Sequence, residues 1–279
     1  MGGLLGLDKM TILSIIILSY NTKNITSKCV ESIVNQYKKE LGHGEIEVIV
    51  VDNASSDASA SEISNLKSQI SNLRIIQNKE NVGFAKGCNI GVRESKGKYI
   101  LFLNSDTEVL DRGFLKMVDY LDTNKKIGIL GGKLLNPDYS PQPSAGKFYT
   151  MLNFLLLVIG GERFGWLRSS PKKIKRVDWV SGACFMIGRE LFDKLGGFDK
   201  HFFMYMEDME LCFRAKNCGF PTYFYPDIKL IHQSLGSSNR EFAVKNINKG
   251  ILYFYQKHKS YWQYLLVKTL LILKGVVRT

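Results

Sequence analysis

Apolar residues in the first half of the chain gather in short, nearly unbroken runs, and each run gives way to a stretch with helical spacing. Ile12 to Leu18 and Ile46 to Val51 are β-branched and almost wholly apolar. Such runs read as strands covered on both faces, as in a parallel sheet. Leu73 to Gln77, Tyr99 to Leu103 and Ile127 to Leu130 read as further strands. Between them, Thr26 to Tyr37, Ala58 to Leu66, Phe84 to Ser95 and Asp111 to Leu121 place apolar residues three or four apart. These predict helices, the first capped by Thr26 or Ser27. The alternation predicts an α/β fold: a mostly parallel sheet flanked by helices, with right-handed crossovers.

The second half is less regular. Gly131 to Arg176 holds most of the prolines and the basic stretch Lys172-Lys173-Ile174-Lys175-Arg176. It reads as an excursion or lid with some helix near Met151 to Ile159. Val177 to Ile187 predicts one strand, Arg189 to Leu195 and Glu207 to Asn217 two helices, and Thr222 to Tyr225 and Ile228 to Ile231 two more strands. From Phe242 onward, aromatic and basic residues alternate in what reads as helix.

Ligands of open parallel sheets bind at the carboxyl ends of the strands. The loops there are Ser19-Tyr20-Asn21, Asp52 to Asp57, Asn78 to Asn81, and Asn104-Ser105-Asp106. All are polar and two carry acids, which predicts an acidic, amide-rich cleft. Asp106 puts a carboxylate where a buried strand opens into solvent, a good place for a divalent cation. Glu207-Asp208-Met209-Glu210 offers a carboxylate that can act as a base. A metal and a base together suit transfer of a group off a diphosphate.

Composition narrows the reading. With 279 residues, 45% hydrophobic, the chain can bury one large α/β domain or two small ones. The net charge of +12 is uneven: from Lys229 to Thr279 nine basic residues stand against the single acid Glu241. A basic tail suggests an anionic partner, nucleic acid or membrane. The five cysteines are scattered without a CxxC pair, which argues against a disulfide scaffold or zinc site and suits a reducing cytoplasm. Residues 1–9 lack the charged start and long apolar stretch of a signal peptide, and no run reaches the ~18–20 apolar residues of a spanning helix.

The segments Ser14 to Asn21, Ile49 to Asp57, Asn81-Val82-Gly83-Phe84-Ala85, Leu103 to Asp106 and Met206-Glu207-Asp208 occur in that order. Together they resemble the family 2 glycosyltransferases, which have the GT-A fold, over about Thr11 to His232. The Asn-Val-Gly-Phe-Ala form and Trp179 to Ala183 are most similar to rhamnosyltransferase-type members. The resemblance implies an inverting, Mg2+- or Mn2+-dependent transfer of a sugar, L-rhamnose from dTDP-rhamnose before UDP-sugars. The acceptor it implies is a cell-surface glycan or a polyprenyl-linked glycan. It assigns Asp208 as base; Tyr20, Asn21, Asp52, Asn81, Gly83 and Ser105 to the donor nucleotide; and Trp179, Gly182 and Glu207 to sugar and acceptor. Asp106 and His232 fall to the metal. Asn104-Ser105-Asp106 departs from the family's Asp-x-Asp element by keeping only its last acid, which weakens the expected metal affinity.

Other readings stand beside these. Asp52 and Asp57 can cap the following helix, Trp179 can be core, and Arg214 can be a solvated helix charge. Glu210 is a weaker alternative base. Gly236-Ser237-Ser238 with Arg240 reads as a loop closing over phosphates. Residues 10–235 are expected to form the catalytic domain. Residues 236–279 are expected to form a basic, aromatic helical extension, lying against the inner face of the cell membrane or packed on the domain or in a dimer. A nucleic-acid partner is not expected, because Asp52, Asp106 and Asp208 would repel phosphates. A sugar-binding subunit without activity and a nucleotidyltransferase are the remaining rivals; the latter lacks its usual Gly-rich basic loop after Leu18.

Overall fold

The computed structural model describes residues 10–67, 70, 72–160, 165, 167–234 and 240–274. The apolar runs become strands β1 (Leu13–Ser19), β2 (Ile46–Asp52), β3 (Leu73–Gln77) and β4 (Tyr99–Asn104). They alternate with α1 (Lys23–Gly42), α2 (Ser59–Lys67) and α3 (Phe84–Arg93). All four strands pair in parallel, in the order β3-β2-β1-β4. Each strand is covered on both faces. Ile15 and Ile17 of β1 join the core on one side, with α1, while Ile16 joins the other, with α3. All three are at most 1% exposed, so each contributes ~1.5–3 kcal/mol of burial.

The cap of α1 differs from the expectation. Neither Thr26 nor Ser27 begins it: the helix starts at Lys23, whose N–H donates to Asp57 Oδ2 at 2.9 Å. Asp57 Oδ1 accepts the Ser59 N–H at 3.1 Å, so one carboxylate serves the first turns of two helices.

After β4 the order becomes mixed. The chain makes β5 (Thr107–Val109), α4 (Gly113–Thr123), β6 (Ile129–Leu135), β7 (Pro141–Gln142), β8 (Ala145–Gly146) and α5 (Met151–Val158). Next come β9 (Arg168–Ser169), β10 (Lys175–Val177), β11 (Trp179–Val180), β12 (Cys184–Gly188) and α6 (Arg189–Lys194). Last are α7 (Glu207–Asn217), β13 (Thr222–His232), α8 (Arg240–His258) and α9 (Tyr261–Leu273). The large sheet runs β10-β13-β6-β12-β4-β1-β2-β3, with β12 antiparallel to both neighbours. The strand expected near Ile127 therefore does not extend the parallel set directly; β12 lies between.

The single strand expected over Val177 to Ile187 is broken into β11 and β12, because Ser181-Gly182 turns the chain out of one sheet and into the other. Conversely, the two strands expected at Thr222 and Ile228 are one, β13, with a register shift between Tyr225 and Leu230. Its far end pairs with β5, which the sequence pattern did not show.

The tail is no appendage. Ile251, Phe254 and Tyr255 of α8, and Val267 and Leu271 of α9, are buried in the same cluster as Phe102 and Phe185 of the sheet. Of the aromatic residues expected at a membrane, Phe254 and Tyr255 are therefore core, while Tyr261 and Trp262 are exposed. The expected boundary at 235/236 and the loop Gly236-Ser237-Ser238 lie outside the described residues, as does the Arg240 side chain.

Candidate active site

Two adjoining clefts open at the carboxyl ends of the strands, sharing Phe84, Asn104 and Met204. The first, about 380 Å³, is lined by Tyr20, Asn53, Asn81, Gly83, Ser105 and Asp106. The second, about 500 Å³, is lined by Trp179, Gly182, Glu207, Asp208 and His232 among others. Of the twelve residues singled out from the sequence, ten thus line one cleft or the other. Asn21 and Asp52 line neither.

Asn21 holds the loops together. Its backbone has φ 52°, its N–H donates to Ser55 Oγ at 2.9 Å, and its Oδ1 accepts the Ser56 N–H at 2.8 Å. Asp52 ends β2 and is 3% exposed. Its Oδ2 accepts the Ser55 N–H at 3.1 Å, while Oδ1 is buried with no partner among the described residues. An orphaned carboxylate oxygen is costly to bury, and a ligand N–H would satisfy it.

Asn53, at the start of the next loop, was not singled out from the sequence. Its Nδ2 donates to Asn81 Oδ1 and to the Gly83 carbonyl, each at 3.2 Å, and its Oδ1 accepts from Asn78 Nδ2 at 2.7 Å. Asn81 Oδ1 also accepts the Gly83 N–H at 3.0 Å. This amide ladder fixes Gly83 at φ 81°, where a Cβ would run into the Phe203 backbone carbonyl and side chain.

Asp106 lies in the tight turn between β4 and β5. Because β5 pairs with the end of β13, Thr107 sits opposite His232, and Asp106 Oδ1 lies 3.2 Å from His232 Nε2. The other ring nitrogen fixes the tautomer. His232 Nδ1 is 2.7 Å from Gln142 Oε1, and Gln142 Nε2 donates to Asn136 Oδ1 at 3.0 Å and to the His232 carbonyl at 3.2 Å. With that amide so oriented, Nδ1 carries the proton and Nε2 keeps its lone pair, as in many metal-binding histidines. Asn104 Nδ2 also lies 3.2 Å from His232 Nε2, and a carboxylate oxygen beside an imidazole nitrogen is a donor pair that suits a divalent cation. No third His, Cys, Asp or Glu joins them in a metal-ligating group among the described residues. A divalent ion here would complete its shell with ligand oxygens and water, and a nitrogen donor favours Mn2+ over Mg2+.

Across the second cleft, Asp208 stands in the first turn of α7. Its Oδ2 accepts the Gly182 N–H at 2.9 Å and its Oδ1 the Met209 N–H at 2.7 Å. Burial raises its carboxyl above the usual range, opposed by those N–H groups and by the Arg168 charge. Glu207 is raised further, by deeper burial and by the neighbouring Asp208 charge, and its Oε2 has no partner among the described residues. Both carboxyls therefore stand above the usual range, Glu207 the further of the two.

The turn before α7 is strained. Tyr205 and Met206 take φ 69° and 74°, a region that side chains other than glycine rarely enter. Gly250 of α8 leaves room for it, since a Cβ there would come 2.8 Å from Met206 Cγ. Phe242 and Ile247, also on α8, line the clefts. Trp179 is 5% exposed; its Nε1 donates to the Lys147 carbonyl at 3.0 Å and Arg168 lies over its ring at 5.3 Å. Glu210 and Arg214 belong elsewhere. Glu210 is wholly buried and bonded to Arg214, Lys257 and His258, so it is neither a base nor Arg214 a solvated charge.

Known proteins resemble this chain along most of its length. The family profile for glycosyl transferase family 2 matches residues 14–208. An N-acetylglucosaminyl-diphospho-decaprenol L-rhamnosyltransferase of Mycobacterium tuberculosis is 23% identical, over 78% of this chain and 77% of its own length. A dTDP-rhamnosyl transferase of Shigella flexneri is 26% identical over 83% and 72%. Among solved structures, a Pyrobaculum calidifontis mannosyltransferase in complex with GDP-Man and Mn2+ superposes with a TM-score of 0.62 at 15% identity, over 98% of this chain and 77% of that one. GalNAc-T7 with UDP, GalNAc and Mn2+ gives 0.64 at 17% identity, over 88% of this chain and half of that one. The fold is GT-A, and by a profile that spans most of its length the chain belongs to glycosyl transferase family 2.

Proposed function

We propose that the protein is an inverting hexosyltransferase that moves L-rhamnose from dTDP-rhamnose to a hydroxyl of a cell-surface or lipid-linked glycan. The observation that carries this reading is the half-buried carboxylate of Asp208, fixed by the Gly182 N–H in the cleft that adjoins Asp106 and His232. Its raised basicity suits proton abstraction near neutral pH. Asp208 takes the acceptor proton; the acceptor oxygen bonds to the anomeric carbon from the face opposite the nucleoside diphosphate, which departs with the old bonding pair. Inversion follows from that in-line geometry.

Asp52 Oδ1, unpartnered among the described residues, suits the imide N–H of thymine or uracil alike. Tyr20, Asn81, Gly83 and Ser105 would wall the nucleotide, with Asn21 holding the loops behind them, and Trp179 would meet the sugar through the small part of its ring that reaches the cleft. Asp106 and His232 would hold Mn2+ or Mg2+, which when bound offsets charge on the departing diphosphate. The rhamnosyl choice rests on the Mycobacterium and Shigella relatives; a UDP-sugar donor is the second reading, favoured by the Asp52 chemistry as much as the first. A thermal-shift and donor-hydrolysis screen over dTDP-, UDP- and GDP-sugars, with and without Mn2+, separates them. A preference for GDP-sugars, or no response to any nucleotide sugar, overturns the proposal.

The enzyme's place is the inner face of the membrane. No described helix is long and apolar enough to cross one. Instead Leu152, Leu155 and Ile159 on and beside α5, and Trp262, Leu266 and Leu273 on α9, are exposed. Lys274, just beyond α9, donates to the Val158 carbonyl at the end of α5, so the two apolar stripes lie side by side. Lys268 and Lys274 supply cations for anionic headgroups.

A further inference from the structure

A third hollow, about 540 Å³, adjoins the catalytic cleft and, among the described residues, is lined by Lys147, Arg168, Lys175, Arg176 and Lys216 with the single acid Asp178. That acid is already engaged: Oδ1 lies 3.3 Å from Lys216 Nζ and Oδ2 accepts the Phe148 N–H at 3.1 Å. The hollow therefore keeps an excess of four positive charges. Their concentration on one concave wall, fixed by the small sheet β11-β8-β9 and the edge strand β10, focuses a field that favours a multiply charged anion.

Position says which anion. Arg168 and Gly165 line both this hollow and the cleft that holds Asp208. Arg168 lies over the Trp179 ring, and its charge reaches Asp208. Asp106 and His232, the pair suited to the donor diphosphate, do not line this hollow: Asp106 lines the nucleotide cleft and His232 the part of the Asp208 cleft beside it. A sugar on Trp179 that presents a hydroxyl to Asp208 would thus extend its anomeric substituent toward Lys147, Lys175 and Arg176. We propose that this basic hollow binds the diphosphate of a diphosphate-linked acceptor. The assignment of that diphosphate to an acceptor rests on the transferase reading; the anion site itself does not.

The test is a calorimetric titration of the full chain with inorganic pyrophosphate, without metal or donor, in chelator and 0.15 M salt. Metal-free conditions leave Asp106 repelling the anion, so the donor side does not contribute. The expected result is saturable binding that weakens tenfold or more in Lys175→Gln/Arg176→Gln and is unchanged in Lys38→Gln/Lys39→Gln, an equal charge loss on an exposed part of α1. No saturable binding, or equal loss in both double variants, overturns the site. Farnesyl diphosphate, titrated alongside, should bind at least as tightly as pyrophosphate; weaker binding overturns the lipid-linked source. All of these outcomes are independent of whether any nucleotide sugar is turned over, so this proposal and the transferase reading fail separately.

Discussion

Asp208 and Glu207 are adjacent acids with different jobs. Burial raises both carboxyls, and the Asp208 charge adds to the rise at Glu207. Glu207→Gln should retain most of the transfer rate, whereas Asp208→Asn should lose roughly 10²–10⁴-fold in kcat. The acid limb of the wild-type kcat/KM profile should lie above the ordinary carboxylate value of ~4, because a base with a raised pKa is lost sooner as pH falls. Equal losses in the two variants would sink the division of labour. At the metal pair, Gln142 fixes the His232 tautomer from a position no motif marks. Gln142→Leu should weaken Mn2+ binding about 10–100-fold in an electron-paramagnetic titration with the ligands intact; unaltered affinity would remove Gln142 from the site. Asp52, Asp106 and Asp208 were legible in the sequence because each sits at a strand end or helix start. Asn53, Gln142 and Arg168 reach the site through contacts distant in sequence, which no local pattern encodes.

Elements tell a parallel story. Strands β1 to β4 were legible because burial on both faces demands continuous apolar runs, and those runs survive any choice of neighbours. β5 was not, since Thr107-Glu108-Val109 becomes a strand only by pairing with β13. The sequence left α8 and α9 either at a membrane or packed on the domain or in a dimer, and their residues divide by face. On α9, Trp262, Leu266, Thr269 and Leu273 fall at i, i+4, i+7 and i+11 on the exposed side, with Trp262 78% exposed, while Val267 and Leu271 are buried. Trp262→Ser/Leu266→Ser/Leu273→Ser should therefore release the protein from anionic vesicles in a flotation assay while leaving its melting temperature nearly unchanged. Undiminished flotation would rule out this face as the membrane contact.

For the molecule as a whole, Glu210 ties the tail to the catalytic body. Burial alone would raise its carboxyl, but hydrogen bonds from His258 and Arg214 and the charges of Arg214 and Lys257 outweigh that and hold it at about 2, below the ordinary 4.5. A depressed folded value means stabilisation that is complete above the unfolded value and lost as pH falls through the folded one. The shift corresponds to about 3 kcal/mol. Glu210→Gln should lower urea stability at pH 7 by about that order, and the gap from wild type should narrow between pH 4.5 and 2. A gap that does not change with pH would show that these partners do not act through charge. Removal of residues 242–279 should not simply detach a membrane anchor. It would strip Ile251, Phe254, Tyr255, Val267 and Leu271 out of the core they share with the body, at ~1.5–3 kcal/mol each, a sum comparable with the stability of a whole domain.

What the sequence by itself determined is the alternation that builds a parallel sheet, and the acids that such a sheet delivers to its carboxyl edge. Both follow from periodicity and chain continuity, which are local. Tertiary structure alone decided that β12 runs antiparallel through the sheet, that Gln142 reaches the His232 ring, and that α8 supplies part of the cleft wall and the room for the strained turn at Tyr205-Met206. Those outcomes depend on which distant surfaces meet, and the free energy of that meeting belongs to the pair of surfaces, not to either segment.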